Sequence, residues 1–143
     1  MRLTFDLESR AIGTRAGFAT LVASRRDCVL VEIQMLRSGA AVELPFNAAI
    51  KIGVKSAGNF TAPFLAASTS FEKRGAGKNA RYSALLNFNT AEIASGFSSQ
   101  PSSIPALLEV EIVIGDTRTS SVPVALTIFN DIIQGNELMP IEL

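Results

Sequence analysis

The sequence predicts an all-β protein, an antiparallel β-sandwich of the immunoglobulin-like or jelly-roll-like kind with one short helix near residues 89–96. Three observations lead to this fold class. Apolar and polar residues alternate with a period of two in most segments, which is typical of strands that bury one face. Turn-forming clusters divide the chain into about seven to nine such segments. Only one segment carries convincing helix signals. A flattened barrel is the main alternative.

The strands of the first half are predicted from alternating segments. The residues expected to face the core are Leu3, Phe5 and Leu7 in RLTFDLE, Val29, Val31, Ile33 and Met35 in DCVLVEIQML, Ile50, Ile52 and Val54 in AAIKIGVK, and Tyr82, Ala84, Leu86 and Phe88 in RYSALLNF. Between them, RSGA and SAGN read as turns. FTAPFLAASTSFEK is predicted to hold two strand pieces, with Pro63 indicating an edge or a bend.

The predicted helix lies in NTAEIASGF. Asn89 is the expected N-cap, and Glu92 stands three residues later, as in a capping box. Gly96 is the expected C-terminal glycine cap. Because the helix follows one strand segment and precedes another, we expect it to cross between the two sheets.

A long hairpin is predicted after the helix. ALLEVEIVI turns at Gly115-Asp116 into the return strand TSSVPVALTIFN. The residues expected to face inward are Leu108, Val110, Ile112 and Ile114 on the first strand and Val122, Val124, Leu126 and Ile128 on the second. Pro123 indicates that the return strand is at an edge or bulged.

The chain organisation is predicted as one sandwich domain over residues 1–133, followed by a tail over residues 134–143. The tail QGNELMPIEL loses the alternation and is interpreted as a docking arm or a linker. Its apolar residues are predicted oligomer or partner contacts, with packing on the chain's own domain as the equal alternative. These residues are Leu138, Met139, Ile141 and Leu143.

The amino-acid composition limits the classes of partner that the chain is expected to bind. Thirteen basic residues balance thirteen acidic ones among 143 residues, which argues against a nucleic-acid or acidic-membrane surface. No apolar run approaches the roughly 20 residues of a membrane helix. The N-terminus lacks the pattern of a signal peptide, so we expect synthesis in the cytoplasm.

The sequence gives little support for a catalytic site or a cofactor site. The chain has no histidine and one cysteine, which excludes histidine-dependent triads and pairs, histidine-ligated metals and cysteine-based zinc sites. Cys28 is predicted to be a half-buried structural residue. No catalytic residue, cofactor or metal is therefore predicted.

Several weaker patterns have both a functional and a structural interpretation. Glu109 and Glu111 share a strand face at roughly 7 Å, a spacing that suits an inverting glycosidase, but a solvated strand face is the favoured interpretation. Asp6 and Glu8 are interpreted in the same way. The loop EKRGAGKNAR lacks GxxxxGK[ST] and is interpreted as a solvated hairpin loop.

Two further ligand types have candidate residues. A calcium site would use Asp116, Asp131 and Glu137, which lack the dense oxygen-ligand spacing that calcium needs. A carbohydrate-binding sandwich is the alternative function, and it would need an exposed aromatic platform around Tyr82, Phe60 or Phe64.

The second half of the chain resembles a known family. YSALLNFNTAEIASGF and PALLEVEIVIGDTRTSSVPVALTIFNDIIQG contain a strand ending in LNFNT, a short helix, a strand of the form LEVEI, a hairpin, and a final strand that runs into NDIIQG. This order resembles the N-terminal β-sandwich modules of tailed-phage upper baseplate and fibre-anchoring proteins. Gly135, Glu137 and Pro140 stand where such proteins carry a short Gly/Glu/Pro segment. The first half matches only as a strand pattern.

The resemblance implies a function without catalysis. It implies a structural module of a phage or prophage tail or baseplate, located in the virion, that forms a homo-oligomer such as a trimer and attaches other tail proteins. The receptor-binding or fibre region that would normally follow is absent from the sequence, which leaves open a complete small virion protein, a prophage remnant or a stand-alone module.

Overall fold

The computed structural model describes residues 1–14 and 21–131, which form two six-stranded sheets and one short α-helix. The strands are β1 Arg2–Asp6, β2 Ile12–Thr14, β3 Leu21–Ser24, β4 Cys28–Arg37, β5 Ala40–Ala41, β6 Ala49–Ser56, β7 Ala66–Ser68, β8 Glu72–Arg74, β9 Arg81–Asn87, β10 Ser103–Ile114, β11 Thr117–Ser120 and β12 Val124–Phe129, with a 3₁₀ turn at Gly77–Asn79 and helix α1 at Ala91–Gly96. The predicted all-β class with one short helix is confirmed.

The two sheets have separate strand orders. The first sheet runs β2-β1-β4-β9-β8 with β5 on β4, and the second runs β3-β12-β10-β6-β7 with β11 on β10. Most neighbours are antiparallel, as predicted, but β1 pairs with β4 and β12 pairs with β3 in parallel. Both sheets are therefore mixed.

The core between the sheets is built from the alternating residues of the long strands. Val31, Ile33 and Met35 of β4 are fully buried, and so are Ile52 and Val54 of β6. The buried apolar side chains of both sheets form one continuous cluster. The predicted inward faces of β1, β4, β6, β9 and β10 are confirmed, because period-two alternation assigns a strand's buried face directly.

The helix α1 connects β9 of the first sheet to β10 of the second, as predicted, but both predicted caps are wrong. The N-cap is Thr90, whose hydroxyl accepts the backbone N–H of Ile93 at 3.3 Å and donates to the Leu65 carbonyl at 2.6 Å. Gly96 is the last helical residue and Phe97 follows as the C-cap. Thr90 is favoured over Asn89 as the N-cap because its hydroxyl also bonds the Leu65 carbonyl. This long-range contact cannot be seen in the sequence.

The return strand is broken into β11 and β12, which pair with successive parts of β10. At the break, buried Ser121 points inward, where its hydroxyl accepts the Val110 N–H at 2.9 Å. This shifts the alternation by one residue, so Val122 is exposed and its predicted inward position is wrong. Pro123 lies in this break, as the predicted bulge requires, while β12 itself lies inside the sheet rather than at its edge.

The structure also bears on Cys28, on membrane-spanning helices and on the predicted C-terminal tail. Cys28 is exposed, not half-buried as predicted, because it begins β4 on the outward side. Within residues 1–14 and 21–131, no helix is long and apolar enough to cross a membrane. The predicted boundary at residue 133 and the predicted contacts Leu138, Met139, Ile141 and Leu143 lie outside the described residues.

Candidate functional site

A groove on the outer face of the second sheet brings together residues that the sequence suggested separately. Its floor is the antiparallel pair β6–β10, in which Lys51 lies opposite Glu111, Gly53 opposite Glu109 and Lys55 opposite Leu107. These residues face outward because those between them along each strand are buried. The groove has a volume of about 250 Å³. Phe60 and Phe64, from the β6–β7 connection, and Pro123, from the break before β12, complete its lining.

The ring of Phe64 is held on this face by its neighbours on β6. It packs so closely over Gly53 that a Cβ atom there would lie 2.5 Å from the ring. The ammonium groups of Lys51 and Lys55 lie 4.8 and 4.7 Å from the ring centroid, within cation–π range. Lys55 also donates to the Phe60 carbonyl at 2.6 Å. The lysines therefore fix the aromatic wall of the groove.

The opposite wall carries the two carboxylates of β10. The Glu111 carboxylate lies 3.5 Å from the Arg118 guanidinium of β11. Glu109 is exposed, and its carboxylate makes no hydrogen bond or ion pair with any residue in the described part of the chain. The outward orientation predicted for both glutamates is confirmed, and their carboxylates face the same groove as the two phenylalanines.

Of the three aromatic residues proposed as a platform, Tyr82 is excluded. It is buried, and its hydroxyl accepts the Leu44 N–H at 2.7 Å, so it supports the core. Phe60 is 60% exposed and Phe64 is 39% exposed. The accessible aromatic surface of this groove therefore comes mainly from Phe60.

The basic loop around residues 72–81 already holds a carboxylate of its own chain. Glu43 accepts from Lys73 Nζ at 3.0 Å and from the Gly77 N–H at 3.1 Å. The Lys73 hydrogen bond is the main cause that holds the pKa of Glu43 below its usual value. Lys73 and Gly77 thus hold the β5–β6 connection through Glu43. The interpretation of this segment as a purely solvated hairpin loop is therefore incomplete.

The carboxylates of Asp6 and Glu8 are not simply solvated, because both accept hydrogen bonds from other residues of the chain. The Asp6 carboxylate accepts backbone N–H groups of Glu8 at 2.9 Å, Ser9 at 3.1 Å and Gly39 at 3.0 Å. These hydrogen bonds, that of Glu8 first, lower the pKa of Asp6. Glu8 accepts the Ser38 hydroxyl. The two carboxylates tie the turn after β1 to the turn after β4.

No metal site is formed within the described residues, where no three Asp, Glu or Cys side chains cluster suitably. Asp116 and Asp131 lie in the described part of the chain, and Glu137, the third candidate calcium ligand, lies outside it.

The sequence reasoning missed Lys51, Lys55, Leu107 and Pro123 as groove residues. One sequence feature could have indicated them. Gly53 interrupts an apolar strand between two lysines, and a glycine inside a strand often marks the close approach of another group. The approaching group is Phe64, eleven residues later in the sequence.

Comparison with known proteins gives a likeness at the level of structure. No family model matches the chain, and no curated protein matches it. Among solved structures, the chain is similar to the N-terminal domain of phage TP901-1 ORF48, with 9% sequence identity and a TM-score of 0.42. The similarity covers 91% of this chain and 96% of that one. A likeness at this level of identity and TM-score does not assign a function.

Proposed function

We propose that this chain is a non-enzymatic structural module of a phage or prophage tail or baseplate, which forms a homo-oligomer and attaches other virion proteins. The proposal combines the sequence resemblance described above with the two-sheet fold. The observation that supports binding to another protein is a pair of exposed leucines on the outer face of the first sheet.

The leucine pair lies within the ladder of two adjacent strands, β4 and β9. Leu30 of β4 and Leu85 of β9 are direct partners in register and are 52% and 61% exposed. Cross-strand partners on one face lie roughly 5 Å apart at Cβ, so the two side chains form one apolar surface. An outward sheet face ordinarily carries polar residues, and an apolar pair in their place supports the proposal of a contact with another protein.

The surroundings of the leucine pair fit a second copy of this chain. Charged residues of both signs flank it on the same face, in the Arg2–Glu32 pair at 3.9 Å and the Arg74–Glu72 pair at 3.7 Å. Under twofold symmetry, an apolar centre with a rim of both charges can meet its own copy with opposite charges apposed. The tail residues Leu138, Met139, Ile141 and Leu143 are proposed as a second contact, with the same or another virion protein.

The oligomer is tested by light scattering coupled to size-exclusion chromatography, from micromolar to millimolar protein. We expect the wild-type chain to form a stable oligomer that Leu30→Glu combined with Leu85→Glu dissociates. Val22→Glu is the matched control, because Val22 is equally exposed but lies on β3 of the other sheet. A wild-type chain that stays monomeric throughout refutes oligomerisation. An oligomer that survives the leucine changes refutes the assignment to this face.

Attachment is tested with defined partners. The DNA on both sides of this gene is sequenced, and tail, baseplate or fibre proteins encoded there are purified and mixed with the chain. Co-elution with one of them, lost on changing the tail's apolar residues to serine, supports attachment. Neighbouring genes that encode no virion protein, or purified neighbours that fail to bind, overturn it.

A further inference from the structure

We propose that the groove on the outer face of the second sheet binds a single neutral saccharide ring, with Phe60 and Leu107 against the apolar side of the ring and Glu109 as an acceptor for its hydroxyl groups. This site goes beyond the assembly function and does not depend on it, because it uses the outward face of the other sheet.

The charges of the groove indicate a ligand without net charge. The lining of the groove carries two positive side chains, Lys51 and Lys55, and two negative ones, Glu109 and Glu111, the latter already paired with Arg118 of β11. An anion such as phosphate would meet the carboxylates as well as the ammonium groups, and a cation would meet the ammonium groups as well as the carboxylates, so the mixed lining favours neither. A neutral ligand with many hydroxyl groups can use both walls, because hydroxyls both donate and accept hydrogen bonds.

The contacts already made by the charged groups identify which one is free to bind. Lys51 and Lys55 are engaged with the Phe64 ring, and Lys55 also with the Phe60 carbonyl. Glu111 is paired with Arg118. Glu109 alone of the two carboxylates has no ion pair within residues 1–14 and 21–131. Its position opposite Gly53 places it next to the Phe64 ring, which packs over that glycine, and its side chain is exposed to the groove.

The apolar groups of the groove fit the other half of such a ligand. Phe60, Leu107 and Pro123 border the two charged walls. Sites for small molecules combine predominantly apolar lining with a few convergent polar groups, and this groove has that composition. A saccharide ring has the same two-sided character, with C–H groups on its faces and hydroxyls around its rim.

Position and size favour a small ring over a peptide. The groove lies on the face of the sheet, between β6 and β10, which are both paired on each side. An extended peptide gains its main-chain hydrogen bonds at a sheet edge, and no edge is available here. At about 250 Å³, the groove is below the roughly 300–1,000 Å³ of sites for drug-sized ligands, which favours a contact with a single ring.

The test is a titration of the isotope-labelled full chain followed by backbone amide NMR. The probes are glucose, galactose, mannose and N-acetylglucosamine, with inorganic phosphate, choline and a pentapeptide of neutral residues as comparisons. We expect one or more of the sugars to cause saturable shifts of the Gly53, Phe60 and Glu109 amides in the millimolar range. We also expect this affinity to be insensitive to salt, because the ligand is neutral.

Variants then test the assigned contacts. Phe60→Ala and Glu109→Gln change exposed side chains and are each expected to weaken sugar binding about tenfold. Phe46→Ala is the control, since Phe46 is a fully exposed phenylalanine in a different loop. Absence of saturable shifts with every sugar overturns the proposal. So does tighter binding of phosphate, choline or the peptide, or sugar affinity that both groove variants leave unchanged.

Discussion

Thr90→Ala is expected to destabilise the fold by about 2 kcal/mol, although Thr90 is only half-buried. Its hydroxyl makes two hydrogen bonds, one from the Ile93 N–H at the start of α1 and one to the Leu65 carbonyl before β7. Loss of a threonine N-cap costs about 1 kcal/mol. Loss of the second hydrogen bond adds about 0.5–1.5 kcal/mol, since the Leu65 carbonyl would lose its partner. The effect is larger than that of an ordinary cap because this hydroxyl joins the helix to the second sheet.

Urea unfolding measures this effect. With a slope of about 2 kcal/mol per molar urea, a change of about 2 kcal/mol lowers the midpoint by about 1 M. Thr90→Ser keeps the hydroxyl and is expected to stay within about 0.5 kcal/mol of the wild-type protein, as is Asn89→Ala. A larger loss for Asn89→Ala than for Thr90→Ala would show that the capping box of the sequence prediction forms after all. That result would refute the hydrogen bonds assigned to Thr90.

Three other changes test the contacts of the core and turns. Tyr82→Phe leaves the buried Leu44 N–H without its acceptor and is expected to cost about 1–3 kcal/mol in urea unfolding; an unchanged midpoint would contradict this. Asp6→Asn is expected to lower the unfolding midpoint at neutral pH. Because the pKa of Asp6 is lowered below 3.8, the difference in unfolding midpoint between the variant and the wild type should persist above that pH and disappear as the pH falls through the lowered pKa. A difference in midpoint that grows in acid would contradict these hydrogen bonds of Asp6. Gly75→Ala is expected to cost about 1–3 kcal/mol, since Gly75 has a φ of +75° and a Cβ there would lie 2.6 Å from the Asn79 carbonyl oxygen; full retention of thermal stability would argue against this turn.

The sequence predicts the buried faces of the long strands well, because the alternation of β4, β6 and β10 is a local property of each strand. It does not predict which strands become neighbours. The parallel pairs β1–β4 and β3–β12 depend on how distant segments meet, and no residue in those strands encodes a partner. Sequence reasoning therefore reached the class of the fold, but the predicted antiparallel direction is wrong for these two pairs.

The remaining errors arise where a tertiary contact changes a local pattern. Val122 has the correct spacing for an inward residue, but Ser121 occupies the inward position because its hydroxyl bonds the Val110 N–H. Asn89 is an equally good capping residue by type, but only Thr90 reaches the Leu65 carbonyl. In both cases a polar side chain finds a partner from another part of the chain.

The candidate groove was beyond sequence reasoning for the same reason. Phe60 and Phe64 appeared as a possible sugar platform, and Glu109 and Glu111 as a possible carboxylate pair, more than forty residues away. The β6–β10 pairing places these residues side by side. Their proximity follows from strand register, which the alternation in each strand alone does not fix.

The two proposed surfaces occupy opposite outer faces of one core, and this geometry makes their functions separable. Leu30 and Leu85 face outward from the first sheet, while Phe60 and Glu109 face outward from the second, with the buried cluster between them. An oligomer built through the leucine face would therefore leave every groove open to solvent and multiply its weak affinity through several copies. We expect Leu30→Glu with Leu85→Glu to leave the sugar affinity of each groove unchanged while abolishing enhanced binding to a surface that displays many sugars. Loss of affinity for the free sugar in that variant would show that the two faces are coupled and that the groove needs the oligomer.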